Sequence, residues 1–225
     1  MEYRIIGETL PAVEMKLQAG ESVYTQSGGM AWMSDGLTLD SNVKGGLMKG
    51  LGRMFAGESL FMATYTATKP DSIIAFASTV PGKILPVDVG KTSLICQKGA
   101  FLCAQPTVEV ATAFSKKMSA GFFGGEGFIL QRLGGKGMAF LEVDGDVVEK
   151  TLAPGESIKI DTGNVFAFEP SVSYEIETIK GVKNMFFGGE GLFLTRLTGP
   201  GKIYMQTMNM AEFTGRIAQG IPTSN

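Results

Sequence analysis

The chain reads as a succession of short apolar runs separated by turns rich in Gly, Pro and Asp. Ile158 and Ile160 alternate with Ser157, Lys159 and Asp161, the pattern of a strand with one wet face, whereas Phe128-Ile129-Leu130 and Leu192-Phe193-Leu194 are apolar at every position. Strands of the second kind are expected to lie deeper. No long helical period runs through the sequence, and its 31 glycines suit tight turns and corners between short strands. The predicted class is all-β.

The runs repeat. Gly125-Glu126-Gly127-Phe128-Ile129-Leu130-Gln131-Arg132-Leu133 matches Gly189-Glu190-Gly191-Leu192-Phe193-Leu194-Thr195-Arg196-Leu197, and Gly57-Glu58-Ser59-Leu60-Phe61-Met62 is a more diverged copy. The spacing is roughly 65 residues, a period long enough for several strands per unit. Each copy leads through a turn (Lys69-Pro70-Asp71, Gly134-Gly135-Lys136-Gly137, Gly199-Pro200-Gly201) into a second apolar strand, which predicts a hairpin. A second motif interleaves with the first at Gly20-Glu21-Ser22, Gly90-Lys91-Thr92 and Gly155-Glu156-Ser157, again followed by a turn and an apolar run. The unit is therefore two hairpins long and occurs three times. We expect three tandem pseudo-equivalent β-sandwich units around a pseudo-threefold axis, at 1–80, 81–145 and 146–225, packed as one body.

Repetition also disposes of two phosphate-binding readings. Val89-Gly90-Lys91-Thr92-Ser93 has the ending of a P-loop, but the earlier glycine that motif needs falls at Leu85. Gly134-Gly135-Lys136-Gly137 could cradle a phosphate, yet its counterpart contains Pro200, which donates no N–H.

Composition narrows the function. With 20 Lys and Arg against 22 Asp and Glu, a net charge of -2 and a pI near 5.4, the chain has no general attraction for nucleic acid. There is no histidine, which removes Ser-His-Asp and Cys-His relays and histidine metal sites. No cofactor is implied, and nothing in the spacing argues for a carboxylate or lysine enzyme. The first residues lack the layout of a secretion signal and no apolar run approaches a membrane span, so a cytoplasmic protein is expected. Cys96 and Cys103 fall in apolar runs and read as buried thiols, since a turn at Lys98-Gly99 would make them diagonal neighbours, poorly placed to bridge. Trp32, the single tryptophan, sits in Met30-Ala31-Trp32-Met33 and is expected in the core.

Two sets of residues are candidates for function. The linkers inside the three units share basic residues, Met, Phe and Gly. Their Lys49, Arg53, Lys116, Lys117, Lys180 and Lys183 form a candidate face for a partner protein or an anionic membrane surface. The plainer reading, which takes precedence, has Met and Phe plugging the ends of the β core while the lysines stay wet. Glu126 with Arg132 and Glu190 with Arg196 recur at one spacing, and could line a small-ligand site. A structural ion pair is the commoner role for such residues.

The Gly-Glu-Ser turn at 20–22, Lys49-Gly50-Leu51-Gly52-Arg53-Met54, Gly57-Glu58-Ser59-Leu60-Phe61 and the doubled Phe-Gly-Gly-Glu-Gly at 123–127 and 187–191 resemble bacterial members of the altered-inheritance-of-mitochondria family, similar to a mitochondrial biogenesis protein. The resemblance implies a fold like that of the tryptophan RNA-binding attenuation protein, with double-stranded β-helix-type sandwiches in tandem. It implies no enzyme activity and no ligand, and it transfers no functional residues. Taken together, the reading is a non-enzymatic structural or interaction module that self-associates or binds a protein, with a small-molecule-binding β module as the alternative.

Overall fold

The computed structural model describes residues 1–26, 28–40, 62–116, 128–179 and 192–220. A leading strand, β1 (Glu2–Ile6), precedes three successive sets of six strands. The first set is β2 (Ala12–Leu17), β3 (Ser22–Thr25), β4 (Met30–Met33), β5 (Leu37–Asp40), β6 (Ala63–Ala67) and β7 (Ser72–Ala77). The second is β8 (Gly82–Asp88), β9 (Leu94–Gln97), β10 (Phe101–Ala104), β11 (Val108–Lys116), β12 (Phe128–Gly135) and β13 (Met138–Asp144). The third is β14 (Val147–Leu152), β15 (Ser157–Asp161), β16 (Val165–Phe168), β17 (Ser173–Ile179), β18 (Leu192–Thr198) and β19 (Gly201–Gln206), followed by the helix α1 (Met210–Gln219). The protein is all-β apart from this short helix.

Four antiparallel sheets result: sheet A in the order β1-β2-β7-β4, sheet B β5-β6-β3-β10-β13-β8, sheet C β11-β12-β9-β16-β19-β14 and sheet D β15-β18-β17. Within every set the pairing is the same. The first strand pairs with the sixth, the sixth with the third, the fourth with the fifth and the fifth with the second. Each third strand even carries a β-bulge at one place, on Ala31, Leu102 and Phe166. Each set thus splits into two three-stranded halves that face one another across a core.

This pairing corrects the hairpins expected from the turns. The fifth and sixth strands of a set lie in different sheets, and so do the second and third. The short turns between them are therefore corners, which carry the chain from one sheet to the facing one. Gly137, just before β13, and Gly201, the first residue of β19, stand at φ +113 and +141, where a Cβ would lie 2.7 Å from Gln105 Oε1 and 2.6 Å from Ser171 Oγ, so a side chain would be strained at both. Local turn chemistry serves a corner as well as a hairpin, and only the two buried faces of the strands decide between them.

The runs that are apolar at every position are not buried at every position, since Phe128 and Leu130 share one core with Ile129 half-buried between them, and Phe193 and Leu194 of sheet D are half-buried. Sheets B and C are covered on both sides, so neighbouring residues of one strand enter different cores. Val23, Cys103 and Phe140 pack between sheets A and B, while Tyr24, Ala104 and Leu141 pack between B and C. Cys96 and Ala167 face the B–C core, and Ile95 and Phe168 the C–D core. Phe76, Phe128, Phe140, Phe166 and Phe168 are fully buried, and a side chain of that size contributes about 2–3 kcal/mol on leaving water.

Cys96 and Cys103 are free and buried, as their apolar settings implied. The premise that a turn at Lys98-Gly99 makes them diagonal neighbours in one hairpin does not hold, because β9 belongs to sheet C and β10 to sheet B. Trp32 is a second correction. It lies on β4 at the rim of sheet A and is 44% exposed, since no strand among the described residues pairs with that side. The helix α1 was not anticipated either, although Asn209 accepts from Glu212 N at its start in the manner of an N-cap.

Candidate functional site

Sheets B and C are continuous across successive sets. In sheet B, β3 of the first set pairs with β10 of the second, and in sheet C, β9 of the second pairs with β16 of the third. Each joint therefore unites a second strand with the third strand of the following set, and the register is common to both. Ala104 opposes Tyr24 at one joint and Phe168 opposes Ile95 at the other, at equivalent places in the two strands. Side chains reinforce each joint. The Thr25 hydroxyl donates to the Leu102 carbonyl at 2.7 Å and the buried Tyr24 hydroxyl to Val108 O at 3.0 Å, while the Gln97 amide donates to Val165 O and, at 3.3 Å, to Thr162 O.

Two strands of the joint-forming kind are left over. β4 is the third strand of the first set and ends sheet A, and β15 is the second strand of the third set and ends sheet D. Their burial is the reverse of their counterparts'. All four residues of β10 and of β16 are buried, whereas Ala31, Trp32 and Met33 of β4 are exposed. In β15 only Ile160 is buried. Beside the open edge of sheet A, the Trp32 indole N–H donates to Glu14 Oε2 at 3.3 Å, and Arg4 holds the same carboxylate at 2.6 Å. The candidate site is this pair of edges.

An ionic cluster borders the second edge. Glu177 on β17 receives Lys159 of β15 at 2.7 Å through one oxygen and Arg196 of β18 at 2.7 Å through the other. The hydrogen bond from Lys159, and then that from Arg196, hold the Glu177 carboxyl below the usual carboxylate range. Arg196 is therefore engaged by a residue that the repeat spacing did not nominate, and it stands opposite Glu175 in the register while reaching diagonally to Glu177. Arg132 is exposed on β12, between Ile95 and Ala111. Glu126 and Glu190 lie outside the described residues. So do Lys49, Arg53, Lys117, Lys180 and Lys183, while Lys116 is described only as the last residue of β11.

A groove of ≈ 240 Å³ on sheet A is lined by Glu2, Tyr3, Arg4, Glu14, Lys16 and Ile73, with its arginine already bound by Glu14. Among the described residues no three His, Cys, Asp or Glu side chains gather as a metal site, and no helix is long and apolar enough to cross a membrane.

The model of the family described as mitochondrial biogenesis AIM24 matches residues 3–208. The chain belongs to the AIM24 family. An AIM24 relative in Streptococcus pyogenes serotype M6, carried under the name of an uncharacterized protein, is 30% identical over 223 residues, covering 96% of this chain and 88% of the relative. A crystal structure of a protein from Streptococcus pyogenes aligns with a TM-score of 0.77 at 27% identity, over 98% of this chain and 99% of that one. None of these similarities indicates an enzymatic family. The all-β architecture and the AIM24 membership agree with the resemblance carried by the doubled Phe-Gly-Gly-Glu-Gly motif.

The open edges were not among the residues that the sequence singled out. A signal for them was present, since Ala31-Trp32-Met33 aligns with Leu102-Cys103-Ala104 and Phe166-Ala167-Phe168. What the alignment could not show is that, among the described residues, the first of these three strands has a neighbour on one side only.

Proposed function

We propose that this AIM24 protein is a non-enzymatic interaction module of the cytoplasm whose partner is a protein. One observation supports the reading above others: β4 and β15 are exposed although every strand equivalent to them is buried in a joint. An unpaired edge offers a row of backbone donors and acceptors, and a folded protein keeps such an edge covered or blunted. On β4 the edge also carries Trp32 and Met33, the apolar anchors that protein interfaces favour. The two free buried thiols suit a reducing compartment.

The small-molecule reading draws less support, because Arg196 is already paired with Glu177 and Arg132 stands exposed. Membrane contact would fall to the basic linker residues Lys49, Arg53, Lys116, Lys117, Lys180 and Lys183. Native mass spectrometry of the protein purified gently from its own cells tests the proposal. A second polypeptide at fixed stoichiometry is the expected result, to be lost in a Trp32→Lys, Met33→Lys double variant. A bare monomer, or a monomer carrying one small molecule, would overturn it.

A further inference from the structure

Resting on the interaction reading above, we infer that the partner is a second copy of this chain, joined head to tail by pairing β4 of one copy with β15 of the next. The chain already makes this joint twice. A second strand meets the third strand of the following set at β3–β10 and again at β9–β16, antiparallel and in one register. Among the described residues the third set supplies a second strand without a follower, and the first set supplies a third strand without a predecessor. Each end of the molecule therefore carries the complement of the other.

The register of the existing joints fixes that of the new one. Ala167 opposes Cys96 and Phe168 opposes Ile95. By their pairing with the sixth and fifth strands, Trp32 and Met33 correspond to Ala167 and Phe168, and Ile160 and Lys159 to Cys96 and Ile95. Trp32 then stands opposite Ile160 of the next copy, and Met33 opposite Lys159. Ile160 belongs to the core between sheets C and D, so the indole, now 44% exposed, would cap the end of that core. Lys159 is the one departure from an apolar pattern. Its ammonium is already held by Glu177 at 2.7 Å, which leaves the aliphatic stem for Met33. A lysine and a bulge on these edges also guard against indiscriminate pairing, so that only the matched edge fits.

Such a contact is heterologous, and it propagates into a closed ring or an open filament according to the rotation per copy. The variants Met33→Cys and Lys159→Cys, each adding one exposed cysteine to the buried Cys96 and Cys103 of the full chain, provide the test. Directly opposed residues of antiparallel strands have Cα atoms about 4.5–5.5 Å apart, within disulfide range. Mild oxidation of the mixture is expected to give a covalent dimer that neither variant gives alone, and the unmodified chain should gain mass with concentration in sedimentation. Circular dichroism and the sedimentation of the unmodified chain guard against a misfolded variant.

Several results would overturn the inference. An intrachain cross-link in a chain carrying both Met33→Cys and Lys159→Cys, with the unmodified chain monomeric, would show the two edges closing on each other within one molecule. A monomer without cross-link that still carries a different polypeptide from its cells would refute the second copy and leave the interaction reading standing. A bare monomer in every measurement would refute both.

Discussion

Tyr24 faces Ala104 across the joint of β3 and β10, and its hydroxyl crosses into the next set to donate to Val108 O at 3.0 Å. The ring stacks on Phe101 at 5.4 Å and is 6% exposed, so a side chain of the first set is built into the core of the second. Tyr24→Phe keeps the packing and removes the hydrogen bond, and is expected to cost about 1 kcal/mol. Tyr24→Ala also leaves a cavity and should cost about 3–5 kcal/mol. Urea unfolding followed by fluorescence and by circular dichroism checks both, and the alanine variant should separate the two transitions if the joint couples the sets.

Asp144 gives a pH dependence of unusual sign. Burial, and then the charge of Glu142, push its carboxyl up to about 6 against the opposing hydrogen bond from Gln206. The folded chain thus binds this proton more tightly than the unfolded chain, whose aspartate titrates near ~3.9. Between these values stability falls as pH rises. Asp144→Asn should therefore stabilise the protein at pH 7, by about 1 kcal/mol after allowance for partial solvent screening, and change little near pH 4. Thermal unfolding across that range decides the matter.

Glu177 has the opposite sign. Its carboxyl titrates below the usual range, so its contribution is full above the unfolded value of ~4.3 and is lost as pH falls through the lower, folded one. Glu177→Gln should lower the melting temperature slightly at neutral pH. The difference should vanish in strong acid and shrink in molar salt, because the cluster with Lys159 and Arg196 is solvent-facing.

Burial pushes the Cys96 thiol up to about 12, and Cys103 is raised in the same way, so thiolate is scarce at both. Neither should react with a thiol reagent in the native protein. Labelling should appear only at the rate of opening, rising with denaturant in parallel with loss of structure. Rapid labelling of either cysteine in native buffer would contradict the packing of β9 and β10 at the centre of the molecule.

The sequence by itself determined the all-β class and the recurrence of four of the six strands of each set. Period-two runs, turn residues at fixed offsets and the absence of histidine are local properties, and they sufficed for an all-β chain without imidazole chemistry. The tertiary structure decided which strands meet. The turn at Gly135-Lys136-Gly137 could close a hairpin or turn a corner with the same residues, and the choice went to the arrangement that buried Leu130 and Leu133 in different cores. Arg196 found Glu177 through a diagonal across β18 and β17 that sequence spacing does not contain. Trp32 reads as a core residue because its strand has the composition of a buried one, and it is exposed because burial requires a strand on each side, and among the described residues β4 has only β7.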